Sequence, residues 1–117
     1  MGAWHNWARL RMQGRPTWEG LGVTEADVSG GDTDTVNAAI RARHADKTPA
    51  EARAFLSETH DLLVAQVAGW DEAALLLPFR ALGPDEPADR VIPPVSHIVY
   101  ESTAGHYGEH LGWLRSY

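Results

Sequence analysis

The sequence predicts an all-α protein, and three observations support this fold class. Apolar residues recur three and four positions apart in several segments, which is the period of an amphipathic helix. The tetrapeptide Thr48-Pro49-Ala50-Glu51 combines an N-cap threonine, a proline at the first helical position and a glutamate three residues after the threonine. No segment shows β alternation, since the run at residues 90–92 is short and two prolines follow it. We therefore expect a helix bundle.

Composition limits the classes of function. The 117 residues share one composition and predict a single domain over residues 1–117. Ten basic and sixteen acidic residues give a formal charge of -6, which disfavours a nucleic-acid partner. No cysteine is present, so histidines and carboxylates have to hold any metal. No apolar run reaches the roughly 20 residues that cross a bilayer, and no signal-peptide pattern opens the chain. We expect a cytoplasmic protein without a membrane partner.

The N-terminal part of the chain predicts one helix and one loop. Residues 3–13 carry Trp4, Trp7 and Leu10 on one side and their arginines largely on the other, which indicates a helix. No capping side chain precedes Trp4, so this helix looks as if it is entered part-way. Residues 17–33 are rich in glycine, aspartate and threonine and have no period, which predicts a long loop.

The middle of the chain predicts three helical segments. The first begins with Thr33 or Asp34 as its cap and ends near residue 46 or 47. The second runs from the Thr48 cap to about residue 68, and the third is a short turn from Asp71 through Leu77. The stripe of the long helix that we expect to face the core consists of Ala52, Leu56, His60, Leu63 and Val67, joined by Phe55, Leu62 and Val64.

The C-terminal segment carries the strongest functional signal. After two prolines, residues 95–115 predict a helix of about six turns. His106 and His110 stand four apart in it, so both imidazoles lie on one helix face. Two imidazoles at this spacing can chelate a divalent transition metal, and Glu101 lies one turn before them. The alternative interpretation is a pair of buried histidines that are hydrogen-bonded to glutamate or tyrosine.

The arrangement of helices also predicts self-association. Three substantial helices and a broken middle one make an incomplete bundle, because the first helix looks truncated. A three-sided bundle exposes an apolar groove, so we expect a homodimer, with exchange of helices between two chains as one route to it.

Residues 102–114 resemble the ClbS/DfsB-type branch of the DinB-like four-helix-bundle superfamily. The family pattern there is roughly Asn-Thr-Tyr-x-His-Tyr-x-Glu-His-x-x-Trp. Ser102 replaces the asparagine and Ala104 replaces the tyrosine, whereas the matching residues are Thr103, His106, Tyr107, Glu109, His110 and Trp113. The segments 34–40, 48–63 and 71–80 also look like this branch, so the resemblance covers nearly the whole chain. It implies an up-down bundle that lacks the first helix and part of the second.

The resemblance implies a metal triad made of one histidine on the second helix and a His-x-x-x-His pair on the fourth. His106 and His110 match that pair. In the family the first ligand stands a few residues before an aromatic that Trp4 resembles, a place that falls at or before Met1. His5 and His60 are the alternative third ligands in this chain. His60 has the better helical face, and His5 lies on the helix that the family uses.

The same resemblance implies a metal-dependent enzyme that uses zinc, nickel or manganese. Two activities are expected from the family: hydrolysis that detoxifies reactive small molecules, and transfer of low-molecular-weight thiols to electrophiles. The alternative is a non-catalytic bundle that associates with itself or binds a small ligand and has an incomplete metal site. The replacements at Ser102 and Ala104 favour this alternative.

Overall fold

The computed structural model describes residues 1–82 and 93–116, apart from the side chains of residues 80 and 81, and every regular element in these ranges is helical. The all-α prediction is thereby confirmed. The elements are α1 (Gly2–Arg11), α2 (Thr17–Leu21), α3 (Glu25–Val28), α4 (Thr33–Arg43), α5 (Pro49–Ala68), α6 (Glu72–Leu75), a 3-10 turn (Phe79–Leu82), α7 (Val95–Tyr100), a π-helical turn (Glu101–Gly105) and α8 (His106–Arg115). The short run at residues 90–92 lies outside the described residues.

The helices of the middle region begin where side chains cap them. The Thr48 hydroxyl accepts a hydrogen bond from the Glu51 amide at 3.3 Å, and the Glu51 carboxylate accepts one from the Thr48 amide at 2.8 Å. This reciprocal capping box, with Pro49 after it, starts α5 at the predicted residue. Asp32, rather than Thr33 or Asp34, caps α4, which ends at Arg43, earlier than predicted.

The prediction of one long loop over residues 17–33 is wrong, because α2 and α3 lie within it. Thr24 and Asp27 form a second capping box, which is a local start signal for α3. α2 is held against α1 by a close approach of the two backbones. A Cβ atom at Gly20 would lie 2.5 Å from the Cα atom of Trp7, so only glycine fits there.

The hydrophobic core forms around α1. Ala8 and Met12 of α1 pack with Leu63 of α5, Phe79 of the 3-10 turn and Val95 of α7. α1 therefore lies between the long helix and the C-terminal helices, and each of its turns contacts another element.

Part of the predicted inward stripe of α5 is wrong. Only Thr59 and Leu63 are buried in this helix, whereas Ala52 is exposed and Leu62 and Val64 are 43% and 53% exposed. Thr59 and Leu63 stand four apart and form one narrow line of contact, and the directions of Leu62 and Val64 diverge from that line by about 100° each.

The predicted C-terminal helix spans the expected residues but is interrupted by one π-helical turn, Glu101–Gly105. The Thr103 hydroxyl donates to the Val99 carbonyl at 2.6 Å and approaches the Tyr100 carbonyl at 3.4 Å. A threonine hydroxyl that bonds back in this way competes with the regular backbone ladder, and π turns often accompany functional sites. Within the described ranges, no helix combines the length and the apolar character that spanning a membrane requires.

Candidate metal centre and adjoining cleft

His5 lies at the centre of the histidine cluster. α1 places its ring under the start of α8, and its side chain is fully buried, with 0% of its surface exposed. The ring centroid lies 5.5 Å from that of His60 on α5 and 5.7 Å from that of Tyr107 on α8. Neither ring nitrogen of His5 has a hydrogen-bond partner. A fully buried imidazole with two unpaired nitrogens is uncommon in a protein interior and calls for an explanation.

Burial, the largest cause, lowers the pKa of His5 together with the nearby His60, the N-terminal amine and His106, and the resulting value falls from 6.5 to about 4. His5 is therefore neutral at neutral pH, which is the form of histidine that binds metals. His60, the other alternative third ligand, is half-buried at the edge of the core, and its Nδ1 atom is also buried without a partner. The structure thus brings both alternatives, His5 and His60, to the same place.

The rings of His106 and His110 stack on each other. Their centroids lie 4.7 Å apart, with an angle of 24° between the ring planes. The lone pair of an imidazole nitrogen lies in the ring plane, so the lone pairs of two stacked rings lie in nearly parallel planes and do not meet at one point beside the rings. Chelation by this pair therefore requires at least one ring to turn. His110 also packs edge-on against Trp113, at 4.7 Å between centroids.

The donor atoms of this cluster are of a type and spacing that suit a metal ion, but the present ring orientations are not those of a metal site. In a tetrahedral site a histidine nitrogen lies about 2 Å from zinc, which puts the ring centroids of two ligands roughly 5 Å apart. The 5.5 Å between His5 and His60 agrees with this separation. Within residues 1–82 and 93–116, however, no three histidine, aspartate or glutamate side chains are already arranged to hold an ion. The unpaired nitrogens of His5 and His60 supply the donor chemistry, and side-chain rotation on α8 would have to complete the geometry.

A cleft of about 620 Å³ lies beside the cluster, and His106 lines it. The π-helical turn contributes Glu101 and Ser102 to its wall, and α8 contributes Glu109 and Trp113. The remaining described lining residues come from α1, α4 and α7: Trp4, Trp7, Thr33, Asn37 and Ile98. This volume lies within the usual range of small-molecule sites. Burial is the main cause that lowers the pKa of His106, so its ring is neutral in the cleft at neutral pH.

Two tryptophans of α1 form one corner of this cleft. The rings of Trp4 and Trp7 lie 5.5 Å apart between centroids, with 79° between their planes. The indole N–H of Trp4 donates to the Asn37 side-chain oxygen at 3.1 Å, which fixes this ring against α4. Sequence reasoning did not assign either tryptophan to a site. Their spacing of three on one helix is the signal that both would face the same side, but the same spacing is typical of ordinary core residues.

No protein-family model, curated protein or solved structure matches this chain. These comparisons give no support to the DinB-like assignment, so that assignment stays a prediction from the residues around His106 and His110.

Proposed function

We propose that the protein binds a divalent transition metal through His106 and the buried His5, with His60 and His110 as the further ligands. On this proposal it is a metal-dependent enzyme of the DinB-like kind that acts on reactive small molecules, either as a hydrolase or as a thiol transferase. Zinc, nickel and manganese are the candidate ions. The substrate would enter through the cleft that His106 lines.

The observation that carries this proposal is the pair of unpaired nitrogens on the fully buried His5. A buried polar group without a hydrogen bond costs about 1–3 kcal/mol in proteins. A metal bond to one nitrogen would offset part of that cost, and the neutral state of His5 at neutral pH leaves a lone pair for it. The adjoining unpaired Nδ1 atom of His60 extends the argument to a second donor.

The side chains have distinct roles in this proposal. When bound, the metal would supply a Lewis acid that lowers the pKa of a water molecule or polarises an electrophile. His5 is fully buried and would anchor the site, because packing holds its ring in place. His106 lines the cleft and would connect the site to the substrate. The Glu109 carboxylate is near enough to favour protonation of His106, so it is placed to orient that ring or accept a proton.

Elemental analysis tests whether the protein binds a metal ion. The protein is stripped with a chelator, incubated separately with zinc, nickel or manganese, and passed through gel filtration before measurement. We expect about one ion per chain for at least one metal. His106→Ala should lose that ion, while its helix content by circular dichroism stays near that of the wild type, because this ring is not part of the core cluster.

The matched control is His97→Ala. This histidine is exposed, lies in the first turn of α7 and does not line the cleft, so the variant should keep the metal. The proposal fails if no metal binds in stoichiometric amount, or if His106→Ala and His97→Ala retain it equally. For the reaction, hydrolysis of activated esters and addition of a thiol to an electrophile are measured with the metal-loaded wild type and with His106→Ala. Only the wild type should be active.

Exposed apolar side chains favour a second candidate function, namely a non-catalytic bundle that associates with itself. Large apolar side chains are exposed along α8 and beyond α6, among them Leu111, Leu114 and Leu76. A homodimer, with or without exchanged helices, would cover such side chains. Light scattering over a wide concentration range tests this candidate, and a constant monomer mass would exclude it.

A further inference from the structure

The cleft beside His106 combines aromatic rings with negative charge. Trp4 and Trp7 meet at 79° and both line it, so the two ring planes form a corner rather than a flat wall. Trp113, which is 57% exposed, lines the same cleft from α8. The face of an indole ring is negative and attracts cations, and a cation within about 6 Å of a ring centroid is stabilised. Aromatic corners of this kind bind alkylammonium groups.

Two carboxylates line the same cleft. Glu101 comes from the π-helical turn and Glu109 from α8, and both are exposed. The Glu101 carboxylate folds over Gly105, where a Cβ atom would lie 3.5 Å from its Oε2 atom. Throughout the part of the chain that the structure describes, neither carboxylate has a hydrogen bond or an ion pair. Two uncompensated negative charges thus face the same space as the tryptophan rings.

The charged side chains in the described lining of the cleft are both acidic, namely Glu101 and Glu109. The cleft has no lysine or arginine among its described lining residues, and His106 is its one histidine. The net charge of the chain, -6, adds a favourable long-range field for cations.

We propose that this cleft binds a small organic ammonium ion, with the Trp4–Trp7 corner against its alkyl or methyl groups and with Glu101 and Glu109 neutralising its charge. The inference rests on the proposed function in one respect: it names the class of small molecule that would reach His106. The cation site itself does not require the metal. An ammonium-bearing substrate would place its charged end at the tryptophans and its reacting end toward the histidines.

Isothermal titration calorimetry on the chelator-stripped protein tests the proposal with choline and with 3,3-dimethylbutan-1-ol, a neutral molecule of the same shape. We expect choline to bind at least about tenfold more tightly than its neutral counterpart, because cation–π and carboxylate contacts both need the charge. Equal affinity for the two molecules, or no heat with choline up to its solubility limit, would overturn the proposal.

Three variants sharpen the test. Glu101→Gln should weaken choline binding several-fold and leave the neutral molecule unaffected. Glu25→Gln, a matched change in the first turn of α3 outside the cleft, should change neither affinity. Trp4→Leu should also weaken choline binding several-fold relative to the wild type, with folding checked by circular dichroism. An equal loss in Glu101→Gln and Glu25→Gln would show only a general charge effect and would reject the site.

Metal binding and choline binding can be lost independently of each other. His106→Ala should lose the metal and keep choline binding. Stoichiometric metal without choline binding rejects the cation site alone, and choline binding without any metal rejects the metal centre alone.

Discussion

α1 and α8 are both ten residues long and carry histidines of the same cluster, yet their burial is opposite. Half of α1 is buried, namely Gly2, Ala3, His5, Ala8 and Arg11. No residue of α8 is buried. Each contributes differently to the candidate site: α1 provides the fully buried ring of His5, and α8 provides the half-buried rings of His106 and His110.

The difference shows how a metal centre would form here. His5 is fully buried, so its position is set by the core before any ligand arrives. The stacked His106 and His110 have to turn, but on an exposed helix a change of rotamer displaces few neighbours. The candidate site therefore combines one ligand with a fixed position, His5 on α1, and two ligands that have to change rotamer, His106 and His110 on α8.

The largest expected contrast comes from truncating one leucine in the core around α1 and one leucine on α8. Leu63, on the face of α5 that packs against α1, is 1% exposed, and Leu114 on α8 is 71% exposed. Leu63→Ala should lower the free energy of unfolding by about 2–5 kcal/mol, because it leaves a cavity in the core. Leu114→Ala should change it by less than about 0.5 kcal/mol.

Urea denaturation of the two variants and the wild type, followed by circular dichroism, measures both effects. A cost at Leu114 comparable to that at Leu63 would show that α8 is covered in solution.

A pH series tests the buried histidine of α1. The pKa of His5 is about 4 in the folded chain and about 6.5 in the unfolded chain. Between these values the unfolded chain binds the proton more tightly, so the free energy of unfolding should be fully retained above about pH 6.5 and should fall as the pH drops toward 4. His44 and His106, whose pKa values are also lowered by burial, add to the same trend.

His5→Leu removes the titrating group and also two unpaired nitrogens. We expect this variant to flatten the slope between about pH 6.5 and 4, whereas the exposed His97→Leu keeps it. The decline below about pH 4 should persist in both, because hydrogen bonds lower the pKa values of the capping carboxyls of Asp27, Asp32 and Glu51. An unchanged slope in His5→Leu would mean that water reaches this ring.

Most of the fold was predictable because its signals are local. The Thr48 capping box fixes the start of α5 through contacts within four residues, and the same is true of Asp71 at α6. The π-helical turn Glu101–Gly105 has no such capping signal in its sequence. The composition of residues 17–33 does not predict α2 and α3, because abundant glycine, aspartate and threonine are typical of loops. The Thr24–Asp27 capping box is the local signal that indicates α3.

The candidate site was predictable in its residues but not in its arrangement. Spacing alone brings His106 and His110 to one face, but it does not predict that their rings stack or that His110 packs against Trp113. Whether His5 or His60 approaches that pair depends on the crossing of α1 and α5, which is a tertiary property. The ring centroids of His5 and His60 lie 5.5 Å apart, and helical periodicity does not predict this distance.

The smallest expected effect has the opposite sign and concerns the glycines of α8. Nothing lies within 4 Å of a Cβ atom added at Gly112 or Gly108, and both residues are inside the helix. Gly112→Ala should therefore raise the free energy of unfolding by about 0.5–1 kcal/mol, because alanine restricts the unfolded chain and favours the helix. Gly108→Ala is the matched second site and should behave alike.

Chemical denaturation at two protein concentrations separates the outcomes. A gain that is independent of concentration supports an exposed α8, whose histidines are available to turn toward His5. A loss at Gly112, growing as the concentration rises, would mean that a second copy packs against this face and that the methyl group disturbs it. In that case α8 would be held in place as α1 is, by a neighbouring chain rather than by its own core, and the His106–His110 pair would have to be oriented within an interface.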